Sequence, residues 1–475
     1  MRENMASNQN VSPMELSARG CPSPSESIAF TWGVAWGVAW EVWLSKSVPA
    51  ASEMPRPTMR LCNASALLVL GKRRCSAFIV QCEQLIRVVQ EKNRDFSTGY
   101  GITQSIDVSR HILSIEENSS TITPVKRPVA EIQSIACYLP DRLLGNAELV
   151  GHFPHWTEEK IVRKLGIANR PIAADGETAA DMAVFAAEAL LENGSCEHEE
   201  IDFVLLCTQS PDYFLPTSAC IIHERLGLPK ACGALDFNLG CSGYIYGLSL
   251  AKGLIETGAA KKVLFLTSET YSKYISLDDR AARPLFGDGA AATLISAQNA
   301  GQRATKEEPI GPFVFGTDGG GADLLIVPAG GHRLPSSEET ATEQPDGKGS
   351  TRSQNQLKMH GPGIFSFAVD RVPPMVEELL QKSGKTREEI GAYIFHQANK
   401  YMLDRLQELC HLKGTNFFND VMQRGNTVSS SIPIAMVDAW RTGVLKPNEW
   451  VMLVGFGVGL SWGATLVKLP SNFVA

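Results

Sequence analysis

From residue 131 to the C-terminus, short apolar runs alternate with longer segments of helical character. Phe203-Val204-Leu205-Leu206, Val263-Leu264-Phe265-Leu266 and Trp450-Val451-Met452-Leu453 are apolar without a break, the pattern of strands covered on both faces. Segment 244–257 is small and apolar throughout and predicts a buried helix, entered from a strand-like run at 234–237. Strand and helix in regular alternation predict an α/β fold.

The pattern also repeats. Ala189-Leu190-Leu191-Glu192-Asn193-Gly194 is matched at 379–384, an offset of 190, and the run 201–207 is matched at 390–396, an offset of 189. Leu254-Ile255-Glu256-Thr257-Gly258 is matched at 439–443, an offset of 185, and the strand at 263–266 is matched at 450–453. Each copy reads helix, buried strand, loop, helix, strand. Two such units predict two similar halves about a pseudo-twofold axis. The offsets place Cys207 opposite His396, and Gly240-Cys241 opposite Gly425-Asn426. Equivalent element ends meet at such an axis, so Cys241, His396 and Asn426 are expected to converge.

Cys241 lies in Asn238-Leu239-Gly240-Cys241-Ser242-Gly243, between the strand-like run and the buried helix. The positive end of the helix dipole favours a thiolate there, and the flanking glycines allow a sharp turn, which together suit a nucleophile. The same local sequence equally fits a buried, inert thiol. His396 by itself reads as a structural histidine, and Asn426-Thr427 as a turn or cap. It is the convergence with a cysteine that gives them chemistry.

Composition narrows the class. The chain has 475 residues, a formal net charge of −7, 44% hydrophobic and 20% charged residues, ordinary values for a globular protein. The acidic balance argues against nucleic acid as the main partner. Eleven cysteines, an odd number with no CxxC spacing, fit neither a zinc site nor a disulfide framework and suit a reducing cytoplasm. No uncharged apolar run reaches 18 residues, so no membrane span is expected.

Residues 1–130 differ from the rest. They carry a balance of +3 against −10 for the remainder, and open on a Ser/Pro/Asn/Glu-rich stretch. A short Trp-Gly-Val-Ala repeat places Trp32, Trp36 and Trp40 at i, i+4 spacing, with Trp43 close behind. A membrane-surface anchor, a secretion signal, a transit peptide and an upstream extension from a misplaced start are all compatible with some of these features. The favoured expectation is a poorly structured extension with no packed domain of its own.

Five motifs, in order, carry a resemblance. Gly240-Cys241-Ser242-Gly243, Phe286-Gly287-Asp288-Gly289-Ala290-Ala291, His396-Gln397-Ala398-Asn399, Gly425-Asn426-Thr427 and Gly455-Phe456-Gly457-Val458-Gly459-Leu460-Ser461-Trp462-Gly463 resemble the signatures of β-ketoacyl-acyl carrier protein synthase III. The resemblance covers roughly 131–470. It implies the thiolase-like fold: five α-β-α-β-α layers built from two pseudo-symmetric halves, expected at 131–305 and 306–475. It also implies a homodimer, an acyl carrier protein as partner, no cofactor beyond the substrates, and decarboxylative Claisen condensation. Cys241 would hold the acyl group, His396 and Asn426 would donate to the malonyl thioester carbonyl, and the backbone N–H groups of Cys241 and Val458 would form the oxyanion hole.

The chain departs from the family in places. The family's CoA-facing tryptophan corresponds to Lys160, with Trp156 one helical turn earlier, while its adenine-side arginine corresponds to Arg280. The stretch from Gln397 to Tyr401, including Lys400, is the expected carrier-facing segment, with Tyr401 where an arginine is common and Arg405 a further positive charge. Residues 328–358 are polar and predict a long exposed loop. Glu269 is a weaker candidate for a buried partner of the site, and Asp288 and His360 are expected to be structural or incidental. Tyr213, Phe214, Leu215 and Pro216 are bulky and suggest a pocket for a short acyl chain. The alternative reading is an acyltransferase that passes the acyl group from Cys241 to a non-malonyl acceptor; a non-catalytic dimer partner is a third.

Overall fold

The computed structural model describes residues 27–29, 43–45, 127–153, 155–298 and 307–475. In the N-terminal unit, the backbone at Ser27–Ala29 pairs antiparallel with Trp43–Ser45. The other features of residues 1–130 discussed above, up to residue 126, lie outside the described residues.

Chain duplication is directly visible in the sheets. Strands β1 (Val129–Tyr138), β2 (Phe203–Cys207), β3 (Gly233–Phe237), β4 (Lys262–Glu269) and β5 (Gly289–Gln298) form one sheet, in the order β1-β5-β4-β2-β3. Strands β6 (Ile310–Thr317), β7 (Ile390–Phe395), β8 (Phe417–Phe418), β9 (Trp450–Gly457) and β10 (Ser461–Lys468) form the second, in the order β6-β10-β9-β7-β8. Each sheet has two antiparallel pairs followed by two parallel pairs, at corresponding places.

Six main helices complete the layers: α1 (Ala179–Glu192), α2 (Ser218–Arg225), α3 (Gly243–Glu256), α4 (Gly361–Ser383), α5 (Lys400–Leu409) and α6 (Ser431–Arg441). The sequence sets several of their ends. Thr178 and Asp181 form a reciprocal capping box at the start of α1. Gly384, at φ 67°, closes α4 in the left-handed conformation.

Helices α3 and α6 are apolar on most sides because they lie between the two sheets. Tyr244, Ile245, Leu248, Ala251 and Ile255 of α3 pack in one cluster with Ile432, Ala435, Met436 and Ala439 of α6. Phe265 of β4 is fully buried there, with its ring 5.4 Å from that of Tyr244 and 6.3 Å from that of Phe237. Removing such a ring costs about 3–5 kcal/mol. Helices α1 and α2 cover the outer face of the first sheet, and α4 and α5 that of the second. The result is the expected five-layer α-β-α-β-α arrangement.

Residues 328–358 are mostly exposed, as expected, but they are not a structureless loop. They contain a short helix at Glu338–Ala341 and a pair of two-residue strands, Gln344–Pro345 with Thr351–Arg352. Arg352 explains the order: one nitrogen meets fully buried Asp279 at 2.9 Å and another meets Asp346 at 2.9 Å. Polar composition predicted exposure; the bidentate arginine supplies the folding.

Candidate active site

Cys241 sits two residues before α3 and is 5% exposed. The turn between β9 and β10 closes over it. A Cβ placed on Gly457 would lie 2.7 Å from the Cys241 sulfur, so only glycine lets β9 approach so closely. The hydroxyls of Ser242 and Ser461 meet at 2.7 Å and join the two halves beside the thiol.

Burial pushes the Cys241 thiol up to about 12. The Val458 N–H, directed at the sulfur, opposes this, the Glu269 carboxyl reinforces it, and the cysteine's own N–H opposes it again. The helix-end argument for a resting thiolate is therefore overturned by desolvation: the free protein holds a neutral thiol.

His396 follows β7 directly, 2% exposed, with its backbone N–H donating to Val454 O at 2.7 Å. Its ring packs edge-on against Phe456, with centroids 5.5 Å apart. Burial lowers its pKa to about 3, so the imidazole is neutral. Nδ1 is 2.7 Å from the Ser431 hydroxyl, at the first residue of α6. A hydroxyl that donates to Nδ1 leaves the ring proton on Nε2.

Asn426 is placed by Gly425, whose φ of 61° and ψ of −160° suit glycine. A Cβ on Gly425 would also lie 2.9 Å from Leu285 O. Asn426 N–H donates to that same carbonyl at 2.9 Å, and its own carbonyl accepts from Gly287 at 3.0 Å. These bonds tie it to the Phe286-Gly287-Asp288 motif of the first half. Its Oδ1 accepts the Val428 N–H at 2.9 Å, which leaves the amide NH2 as a donor. Val428 in turn packs in the same cluster as Cys241, Tyr271 and Phe286.

Packing leads from Cys241 toward both other residues: Gly457, against Cys241, is next in sequence to Phe456, whose ring meets His396, and Val428, in the same cluster as Cys241, bonds to Asn426 Oδ1. Asp288 is structural. Its buried carboxylate accepts from the backbone N–H groups of Ala173 and Ser272 and from the Ser272 hydroxyl. His360 caps α4, accepting from Gly363 N–H.

Glu269 is more central than expected. It is fully buried at the end of β4, and accepts from Gln209 N–H, Ser210 Oγ and Ser429 Oγ. Residue reasoning missed Ser429, Ser431, Phe456 and Tyr271. The available signal was three consecutive serines at the head of an apolar helix, a run that reads as an ordinary cap until its partners are known.

The outer residues divide. Lys160 and Lys164 both lie over the ring of half-buried Trp156, at 5.7 and 5.9 Å. Lys400 is exposed and pairs with Asp404, and its side chain packs on Gly166 next to the Trp156-bearing segment. Arg280 is half-buried beneath the 344–352 hairpin; a Cβ on Gly349 would lie 2.4 Å from its guanidinium. Tyr401 is 62% exposed and stacks on Phe365 at 5.4 Å.

Gln397, expected on the carrier-facing surface, is instead 3% exposed. Its amide NH2 donates to Phe395 O and its oxygen accepts from Asp420 N–H, so no polar atom is left for a partner. Tyr213, Phe214 and Leu215 are 61%, 83% and 83% exposed and stand outside the hydrophobic cluster that holds Cys241. The side chains packed with Cys241 include Tyr271, Ile275, Leu285, Phe286 and Val428.

This layered fold, with a buried cysteine, histidine and asparagine at the junction of its halves, defines a thiolase-like condensing enzyme. Comparison with known proteins agrees. The profile for 3-oxoacyl-[acyl-carrier-protein] synthase III matches residues 235–319, and that for its C-terminal part matches residues 380–469. A β-ketoacyl-[acyl-carrier-protein] synthase III from Sulfurovum sp. is 36% identical over 350 residues, covering 73% of this chain and 98% of its own. A solved 3-oxoacyl-(acyl-carrier-protein) synthase III is 48% identical, with a TM-score of 0.70 over 72% of this chain and 100% of its own. The priming β-ketosynthase of the R1128 polyketide pathway is 30% identical, with a TM-score of 0.63 over 74% and 99%. The chain belongs to the β-ketoacyl-acyl carrier protein synthase III family.

Proposed function

We propose that this protein condenses an acyl thioester with malonyl-acyl carrier protein, using Cys241, His396 and Asn426. One observation supports the reading: a desolvated, neutral imidazole packs on Phe456, next in sequence to the Gly457 that abuts the buried Cys241 thiol, and an amide is pinned by Val428, which lies in the same cluster as that thiol.

In the first half-reaction the Cys241 sulfur attacks the incoming acyl thioester. A new acyl–sulfur bond forms, the old one breaks, and the proton from Cys241 ends on the departing carrier thiol. Thiol is exchanged for thiol, so the step is near balance. The N–H groups of Val458 and Cys241 stabilise the tetrahedral oxyanion.

In the second half-reaction the malonyl thioester carbonyl accepts from His396 Nε2–H and Asn426 Nδ2–H. Carbon dioxide leaves, its electron pair forms the enolate, and the two donors hold the negative oxygen. The α-carbon then attacks acyl-Cys241, the carbon–sulfur bond breaks to give the β-ketoacyl-carrier product and the Cys241 thiolate, and the sulfur takes a proton from solvent to restore the thiol. A cationic imidazole would bind the ground-state carboxylate as well as the enolate; a neutral one acts where charge develops. The reading needs no resident cofactor.

The donor and acceptor arms are proposed to approach past Trp156 and the basic side chains of Lys160, Lys400 and Arg280, whose positive charge suits phosphate-bearing carriers. The active form is proposed to be a homodimer. Strand β3 is the free edge of the first sheet, with Leu235 46% exposed, and the apolar Phe214 and Leu215 project from the same half. Seven free cysteines, with no disulfide among the described residues, support a reducing cytoplasmic setting. Among the described residues no helix is long and apolar enough to cross a membrane. Residues 127–475 are proposed to act as the complete catalytic unit.

The test is direct. Incubation with an acyl donor and malonyl-carrier protein is expected to give an acyl adduct on Cys241, then release of carbon dioxide with formation of the longer product. Acyl transfer to another acceptor without carbon dioxide release overturns the condensing reading.

A further inference from the structure

Glu269 has no task in the two half-reactions, yet it is fully buried and bonds to both halves. One carboxyl oxygen accepts from Gln209 N–H at 3.0 Å and Ser210 Oγ at 3.2 Å, both just after β2 in the first half. The other accepts from Ser429 Oγ at 2.7 Å, in the second half. Ser429 lies in the one-turn helix Val428–Ser430, between Asn426 and Ser431.

The three consecutive serines 429–431 are each committed to a different partner. Ser429 reaches Glu269, Ser430 donates to Gly289 O at 3.0 Å, and Ser431 meets His396 Nδ1 at 2.7 Å. Asn426 is held by the same turn through Val428 N–H. Any displacement of Ser429 therefore moves both carbonyl-binding donors. We propose that Glu269 is a positioning residue for the decarboxylation step, anchoring through Ser429 the turn that carries Asn426 and orients His396.

This inference rests on the two-step reading above. It also has an electrostatic consequence, because the carboxyl lies near the thiol. Glu269 is one of the groups that push Cys241 upward. Burial in turn raises Glu269 to about 8, against the pull of Ser429, Gln209 and Ser210, with Asp288 adding to the rise. Its other titratable neighbours are Cys207 at the end of β2, and Tyr271 and Tyr274 in the turn after β4. An ionised Glu269 opposes a thiolate at Cys241, so the anchored acid is best suited to its position when neutral. Glutamine in its place keeps the shape and removes the charge.

The experiment uses the full chain, wild type, Ser429→Ala and Glu269→Gln. Three quantities are read: the acyl adduct on Cys241 by intact mass, carbon dioxide release from malonyl-carrier protein, and the pH profile of Cys241 alkylation by iodoacetamide. Ser429→Ala is expected to leave adduct formation close to wild type and to slow carbon dioxide release roughly 10-fold, the size of one lost buried hydrogen bond. Glu269→Gln is expected to keep carbon dioxide release closer to wild type than Ser429→Ala does, and to shift the alkylation profile to lower pH. Unchanged carbon dioxide release in Ser429→Ala, equal loss in both steps, or a Glu269→Gln alkylation profile superimposed on wild type overturns the proposal. A wild type that forms the adduct but releases no carbon dioxide overturns the condensing reading instead; the alkylation profile then still tests the link between Glu269 and Cys241.

Discussion

The Val428 N–H donates to Asn426 Oδ1 at 2.9 Å, and this bond decides which end of the Asn426 amide faces the substrate. Oxygen is held back and NH2 is presented. Asn426→Asp keeps the shape and the bond to Val428 but replaces the donor with a second acceptor, ionised at neutral pH. It is expected to form the acyl adduct on Cys241 normally and to slow malonyl decarboxylation by about 100-fold or more, as loss of a preorganised donor does. Single-turnover measurement of adduct and of carbon dioxide separates the steps. Equal loss in both would refute this division of labour.

Gly457 is the point at which β9 meets the nucleophile. Gly457→Ala puts a methyl group 2.7 Å from the Cys241 sulfur. The chain is expected to fold with about 1–3 kcal/mol less stability, the usual cost of overpacking. Acylation of Cys241 is expected to fall far more than stability does. Thermal unfolding and intact mass check the two parts.

Two buried titratable groups give the stability a definite pH dependence. His396 is lowered from 6.5 to about 3, so its contribution is complete above pH 6.5 and is lost as pH falls towards 3. Glu269 is raised from 4.5 to about 8, so its contribution is complete below pH 4.5 and is lost as pH rises through 8. Between pH 4.5 and 6.5 the two trends oppose each other; from 6.5 to 8 the Glu269 loss continues, joined up to about pH 7 by that of Asp420, which burial and Asp438 raise to about 7. Urea unfolding at pH 6.5 and 8 is expected to show a decline of at most about 1.4 kcal/mol per pH unit from Glu269. The decline should be clearly smaller in Glu269→Gln, with only the Asp420 share left, and an identical decline in that variant would contradict the assignment.

Leu235 tests the proposed dimer. It lies on the free edge strand β3 and is 46% exposed. Leu235→Arg is expected to leave the fold of the single chain intact and to shift the protein from dimer to monomer in light scattering. A variant that remains dimeric would place the interface elsewhere.

Much of this protein is readable in its amino-acid sequence. Unbroken apolar runs marked the strands buried on both faces, and the repeat at 185–190 residues predicted two halves with matching sheets, which is what β1–β5 and β6–β10 form. It also paired Cys241 with Asn426 and Cys207 with His396, because an internal repeat carries register as well as element type. The ends of matching elements followed from that register.

Ionisation and orientation were not readable, because they depend on neighbours remote in sequence. The turn at Cys241 suggested a thiolate; burial by Gly457 and Val458, more than 200 residues away, makes it a neutral thiol. Gln397 looked like surface, and only its bonds to Phe395 and Asp420 show it is interior. Three serines looked like a helix cap, and only packing assigns them to Glu269, Gly289 and His396. The sequence by itself determined the two-halved fold and the family, and nominated Cys241, His396 and Asn426 as the candidates, since periodicity and repeat are local properties of the chain. Tertiary structure decided their protonation and which way their donors point, since both arise from desolvation and hydrogen bonding across the two halves.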